Sequence, residues 1–424
     1  MPRPAVPRPQ ADFRPRADSR PQALLIAAFD SQLKWVAGIR DELVARGFGC
    51  RVVVPEVRSA LSTGQIAAAG FEAVESVSWA ELLERAVASD VVICGLSGPF
   101  TLRFTVDLAA SVVAGEPGPV VVTGWVGVII EKITAGYLDR VGSDIVAVNC
   151  VDDLEHFVTV AQQLALEPDN LLLSGLPILG STAAPPSAAP VRRVLFADQP
   201  TVPGPASESL HLYRRLIDYA YAHPEREVLL KPRHRPGEDT FHTMKHHPED
   251  LLAGVDRPPN FRIDYTAISE LLPDVDLLLT MSSTACLEAI GGGCRVGLVL
   301  DLGVHERYGN HVFLGSGLLR TFDQLIADDI GTPERSWVGS YFFDRPGTAT
   351  EQIADRVEKL LATGERPSRH IWSSAYFTST AAYLRTTPVP VDTGRRGRST
   401  LVRDLVPPLL LRRARRVRRR VARR

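Results

Sequence analysis

The stretch DLLLTMSSTACLEAIGGGCRVGLVLD, residues 276–301, limits the possible folds more than any other part of the chain. An apolar run, Leu277–Leu279, ends at Thr280 and gives way to three hydroxyl side chains, Ser282, Ser283 and Thr284. A short amphipathic segment containing Glu288 follows, then glycines at 291–293, then a second apolar run, Val296–Leu300. Strand, polar turn, helix, glycine stop and strand make a βαβ unit, which belongs in a parallel sheet. Ser282 or Ser283 can cap the helix, because a hydroxyl accepts a bond from a free helical N–H. The free amides and partial positive charge of that helix end suit a phosphate. Thr284 and Glu288 are one turn apart and share a face, so the carboxylate is placed to bind a ribose diol. An ordinary capped βαβ unit has the same pattern, and residues elsewhere must decide between the two.

The pattern recurs along the chain. ALLIAAF (23–29), RVVVP (51–55), VVICG (91–95), VVVTG (120–124), IVAVN (145–149) and LLLS (171–174) read as strands. Helical periods at 33–46, 80–88, 101–114, 128–140 and 152–166 lie between them. Apolar strands alternating with helices predict a doubly wound parallel α/β sheet over 23–180. STAAPPSAAP (181–190) is a small-residue linker. The pattern then restarts with strands at 191–197, 227–230 and 261–264 around a helix at 207–222, and a second Rossmann-like domain is expected over 191–365, including a helix at 348–362. A return helix at 369–384, within 366–394, can fold back onto the first domain. Residues 1–22, rich in Pro and Arg, are expected to be disordered.

Composition narrows the class. The net charge of −1 hides an asymmetry: residues 395–424 hold thirteen arginines and one aspartate, about +12, so the rest carries about −13. No run reaches the roughly eighteen apolar residues that a transmembrane helix needs. The apolar run at 23–29 lacks a small-residue cleavage site and reads as a strand, not a leader. Five scattered cysteines without a C-x-x-C pair fit a reducing, cytoplasmic setting and no zinc site. The tail LLLRRARRVRRRVARR (409–424) combines an apolar patch with dense arginine and suits an anionic membrane surface. With an acidic body and no nucleic-acid module upstream, nucleic acid is not the expected partner.

Several polar clusters fall at strand ends, where parallel sheets bind ligands. Lys231-Pro-Arg-His-Arg-Pro236 follows the strand at 227–230. Arg233 and Arg235 can grip phosphate oxygens in a bidentate fork, Lys231 adds a point charge, and His234 can donate to a phosphate or move a proton. Gln199 and Thr201 follow the first strand of the second domain and are expected to line the same crevice. Asp30, at the end of the first strand, can act as a general base on an acceptor hydroxyl or cap the following helix. His242, His246 and His247 have metal-like spacing but no completing ligand, and read as a surface loop.

Two α/β domains, a linker, SSTACLEAIGGGC (282–294) and LLKPRHRP (229–236) together resemble the GT-B glycosyltransferases, most of all bacterial enzymes of surface-polysaccharide synthesis of capsule and teichoic-acid type. The resemblance implies two Rossmann-like domains facing across a cleft. It places Ser282, Ser283 and Thr284 at the phosphates of a nucleotide-sugar donor, Glu288 at the ribose, and Arg233 and His234 near the diphosphate. It implies no cofactor beyond the donor substrate, no metal, a glycan or lipid-linked acceptor, and a cytoplasmic enzyme held peripherally at the membrane. A CDP-alcohol phosphotransferase and a two-domain sugar-nucleotide epimerase share the architecture and stay open. Asp274-Val275-Asp276 spells the D-x-D that holds a metal in another class of glycosyltransferases, but it precedes a strand and so belongs at the amino edge of the sheet. The chain departs from the family in carrying Cys294 and Arg295 after the donor glycines, and Asp30-Ser31-Gln32 in place of a glycine-rich first loop.

Overall fold

The structure, a computed structural model, describes residues 20–56, 61, 63–113, 115–130, 132–236, 244–387 and 389. The basic tail, His242 and almost all of the N-terminal segment therefore lie outside the described residues. Among the described residues the first sheet has seven strands, β1 (Gln22–Ile26), β2 (Gly49–Pro55), β3 (Glu75–Val77), β4 (Val91–Cys94), β5 (Val120–Gly124), β6 (Ile145–Val148) and β7 (Leu171–Leu173). They lie in the order β3-β2-β1-β4-β5-β6-β7, and all pairs are parallel. Helices α1 (Asp30–Ala45), α2 (Thr63–Ala68), α3 (Trp79–Val87), α4 (Gly98–Ser111), α5 (Ile133–Leu138) and α6 (Val151–Gln163) make the crossovers. Every residue of β4, β5 and β6 is buried, as a sheet covered on both faces requires.

The second sheet repeats the plan with β8 (Arg193–Ala197), β9 (Glu227–Lys231), β10 (Phe261–Ile263), β11 (Leu277–Thr280), β12 (Arg295–Val299) and β13 (Leu319–Arg320). Its order is β10-β9-β8-β11-β12-β13, again all parallel. The helices are α7 (Ala206–Ala222), α8 (Pro248–Leu251), α9 (Ile268–Leu271), α10 (Ala285–Gly291), α11 (Phe322–Ile326) and α12 (Arg335–Tyr341). The chain ends with α13 (Ala349–Thr363), α14 (Ser368–Ser373) and α15 (Ala375–Arg385).

In each sheet the strand order reverses beside its first strand, between β1 and β4 and between β8 and β11. The loops there diverge, and a crevice opens outside the carboxyl ends of the strands. Asp30 follows β1; Gln199 and Ser282 follow β8 and β11. The literal D-x-D lies at the opposite, amino edge. Asp276 accepts the backbone N–H groups of Arg192 and Arg193 at 2.8 and 2.9 Å, and Asp274 pairs with Arg193.

One helix packs elsewhere than the sequence predicts. The segment expected to finish the second domain, α13, lies on the first sheet. Its Ile353, Ala354, Val357 and Leu360 share a core with Leu33, Val36, Ile39 and Leu43 of α1. Arg46 fastens the pair, reaching Asp355 and Glu358 at 2.5 and 2.7 Å. Amphipathic spacing gives α13 an apolar face but does not say which sheet receives it. The chain thus passes between the sheets twice, and Arg345 on the return pass donates to the Leu179 carbonyl on the outward one at 2.8 Å. Beyond α13, Ile371, Phe377 and Ala381 also pack on the first domain, against Tyr137 and Phe157. The helix expected at 369–384 is broken in two at Ser374, which caps α15 by accepting from the Phe377 N–H.

The helix expected over 128–140 is confined to Ile133–Leu138. The preceding residues instead form a loop that touches the second domain. Val128 N–H donates to Thr284 Oγ1 at 3.1 Å, and Gly309 packs against Ile130. A Cβ on Gly127 would run into Thr284 Oγ1, so a larger residue here would force the Thr284 side chain to shift.

Candidate functional site

The second-domain edge is built around α10. The sequence places its cap at Ser282 or Ser283; the structure places it at Thr284, whose side chain makes no capping bond. Ser282 is buried and turned inward. Its O–H donates to the Tyr308 carbonyl at 2.6 Å, and Gln199 holds it twice: Oε1 accepts from the Ser282 N–H at 2.9 Å, and Nε2 donates to Oγ at 3.2 Å. These bonds satisfy buried polar groups and join the loops after β8 and β11. In this structure Ser282 and Gln199 thus fasten the two loops to each other. Ser283 Oγ accepts from the Ala285 N–H at 3.3 Å. Thr284 receives the Val128 N–H across the domains, and with only seven residues in α10 the helix end has little dipole to offer a ligand.

The basic loop after β9 divides in the same way. His234 is buried, its Nδ1 faces the Arg235 carbonyl at 2.9 Å, and its Nε2 accepts from the Met244 N–H at 3.1 Å. Both ring nitrogens therefore bind backbone, which fixes the proton on Nδ1. His247 is not on the surface as its loop suggests: it is buried beside His234 and caps α8 through Nδ1. Arg235 lies over the Tyr265 ring at 4.5 Å, and Lys231 Nζ reaches the Pro232 carbonyl at 3.3 Å. Thr201 is exposed and borders a small cavity with Tyr213 and Met244, behind the Gln199 loop.

From this loop Arg233 reaches across the cleft. Its Nη2 donates to Asp30 Oδ2 at 2.9 Å. Asp30 is the first residue of α1, three positions earlier than the sequence predicts, because Phe29 is extended and acts as the N-cap. A carboxylate in a first helical turn is favoured by the helix dipole. One turn on, Lys34 Nζ lies 3.4 Å from Asp30 Oδ1. Glu288 of α10 is half-buried and lies in the field of two of these charges. Burial pushes its carboxyl up, while the positive charges of Lys34 and Arg233 pull it down. The structure therefore pairs Asp30 with Arg233, with Glu288 in the field of Arg233 and Thr284 at a second contact between the domains, while the polar groups of Ser282, Gln199 and His234 are engaged with one another or with backbone.

Lys34 was not singled out from the sequence. Its signal was present, since Asp30 and Lys34 are four apart, but only if the helix starts at Asp30. Asp198 was also passed over. It is buried under the Gln199 loop, where Tyr213 O–H donates to it at 2.6 Å, and burial pushes its carboxyl up to about 7. Among the described residues no three His, Cys, Asp or Glu side chains are grouped to hold a metal ion.

This arrangement has known counterparts in fold. The Methanocaldococcus jannaschii UDP-GlcNAc 2-epimerase, solved with UDP-GlcNAc and UDP, superposes with a TM-score of 0.55 at 10% identity, covering 80% of this chain and 99% of that one. Another UDP-N-acetylglucosamine 2-epimerase gives 0.51 at 12%, covering 82% and 97%. Arabidopsis thaliana UGT89C1, complexed with UDP-L-rhamnose, gives 0.46 at 12%, covering 86% and 99%. At 10–12% identity the two epimerase superpositions show a likeness of fold alone, two Rossmann-like domains facing across a cleft. No curated protein matches the sequence. The family described as "Putative glycosyltransferase (DUF6716)" matches residues 23–360, and the chain belongs to it.

Proposed function

We propose that the protein is a glycosyltransferase that moves a sugar from a nucleotide-sugar donor to a cell-surface glycan or lipid-linked acceptor. The observation that carries this reading is the ion pair between Arg233, at the carboxyl edge of the second sheet, and Asp30, at the carboxyl edge of the first, with Glu288 in the field of Arg233. Family membership supplies the reaction class.

In this reading the second domain holds the donor. Arg233 grips the diphosphate and offsets the negative charge that builds up as it departs. Glu288 accepts hydrogen bonds from the ribose hydroxyls. The first domain presents the acceptor. As the bond between the sugar's anomeric carbon and the diphosphate oxygen breaks, the acceptor oxygen bonds to that carbon and Asp30 takes its proton. Closure of the cleft excludes water from the activated sugar. No metal enters the scheme; the cations are side chains.

A calorimetric screen of sugar nucleotides and CDP-glycerol tests the donor assignment. Wild type binds a sugar nucleotide, and Glu288→Gln binds it about tenfold less tightly, because a neutral amide is a weaker acceptor for the ribose diol. Unchanged affinity in the variant removes Glu288 from the ribose. Preference for CDP-glycerol points to phosphoalcohol transfer, and interconversion of the sugar without an acceptor points to epimerisation.

The enzyme is further read as a peripheral protein of the cytoplasmic membrane face, through the arginine tail. No helix among the described residues is long and apolar enough to cross a membrane. Supporting the reading, the tail holds thirteen arginines and one aspartate in thirty residues. The full chain should sediment with anionic vesicles and a chain ending at residue 394 should not; equal pelleting of both rejects the anchor.

A further inference from the structure

Asp30 occupies an unusual position. Its carboxylate is 14% exposed, yet both cations that hold it are about half exposed, Lys34 at 55% and Arg233 at 48%. The two cations come from opposite walls of the cleft, one from α1 and one from the loop after β9. A single carboxylate bridges them, with one oxygen 3.4 Å from Lys34 and the other 2.9 Å from Arg233. A second carboxylate, Glu288, feels the charge of both cations but forms no ion pair with either.

We propose that Lys34 and Arg233 are the two arms of a phosphate clamp, one from each domain, and that Asp30 is an internal anion occupying the clamp until a nucleoside diphosphate displaces it. The inference rests on the reading that the cleft takes a nucleotide donor, and adds to it a binding residue from the first domain.

The charges favour exchange. A diphosphate brings more negative charge and more acceptor oxygens than one carboxylate, and a guanidinium fork matches phosphate geometry. An ion pair whose cations are half exposed is a weak competitor. The exchange also orders the reaction. While Asp30 is paired with Arg233, the phosphate site is filled. When the diphosphate takes Arg233 and Lys34, Asp30 is released toward the acceptor hydroxyl. Donor binding thus frees the carboxylate that the acceptor needs.

Calorimetry on the full chain, titrated with UDP, CDP, ADP, GDP and dTDP and separately with inorganic pyrophosphate, tests the clamp. Lys34→Gln should weaken both the preferred nucleotide and pyrophosphate by about tenfold, since a charged contact to phosphate is lost. Asp30→Asn should do the opposite, tightening both roughly two- to fivefold by removing the competing anion. Thermal melting checks that both variants are folded. Unchanged binding by Lys34→Gln overturns the second arm; unchanged or weaker binding by Asp30→Asn overturns the internal anion. In either case nucleotide binding by wild type leaves the donor reading standing. Failure of wild type to bind any of the nucleotides overturns that reading and the clamp together.

Discussion

Arg233→Ala weakens nucleoside diphosphate binding by roughly ten- to a hundredfold, the largest loss expected from any single change in the cleft. A bond to a charged group is worth about 1.5–3 kcal/mol, and each 1.4 kcal/mol is about a factor of ten. Arg233 qualifies because its neighbours are already committed: His234 to backbone, Arg235 to the Tyr265 ring, Ser282 to Gln199 and Tyr308. Half-exposed as it is, its removal leaves the fold intact. Arg233→Lys restores charge without the planar fork and recovers only part of the affinity. Calorimetry decides the matter, and wild-type affinity in the alanine variant excludes Arg233 from the donor site.

The second large effect is on stability. Ile353→Ala removes a fully buried side chain from the core shared by α1 and α13, at a cost of about 2–5 kcal/mol. The position lies after the whole second sheet in sequence, yet the loss falls on the first domain. Hydrogen exchange should speed up in α1 and β1 while β8 and β11 keep their protection. Faster exchange in β8 and β11, with α1 unaffected, places α13 on the wrong sheet.

Much of the architecture was readable because fully buried parallel strands spell themselves out as Val, Ile and Leu runs. The runs at 91–95, 120–124 and 145–149 coincide with β4, β5 and β6. Strands that escaped notice lack that signature. β3 has three residues with one buried, and β13 has two, none fully buried; both lie at sheet edges. The seven-residue α12 is too short for its periodicity to stand out, although Trp337 and Tyr341 are buried on one face.

At the site, the sequence indicated which loops meet but not which way their side chains turn. Ser282 and His234 have the chemistry of ligand-binding groups, yet the same donors and acceptors serve equally to satisfy buried backbone. Only the tertiary structure assigns them inward. Arg233 faces outward, where a residue more than 200 positions away supplies its partner, and no local pattern carries that information.

The late arrival of α13 has a consequence for biosynthesis. The apolar stripe of α1, Leu33, Val36, Ile39 and Leu43, packs on strands made soon after it, but the share of its cover that α13 supplies is missing until about 300 further residues have left the ribosome. At roughly 5–20 residues per second that interval lasts about 15–60 s, during which the nascent chain offers a half-covered greasy helix to whatever waits at the exit tunnel.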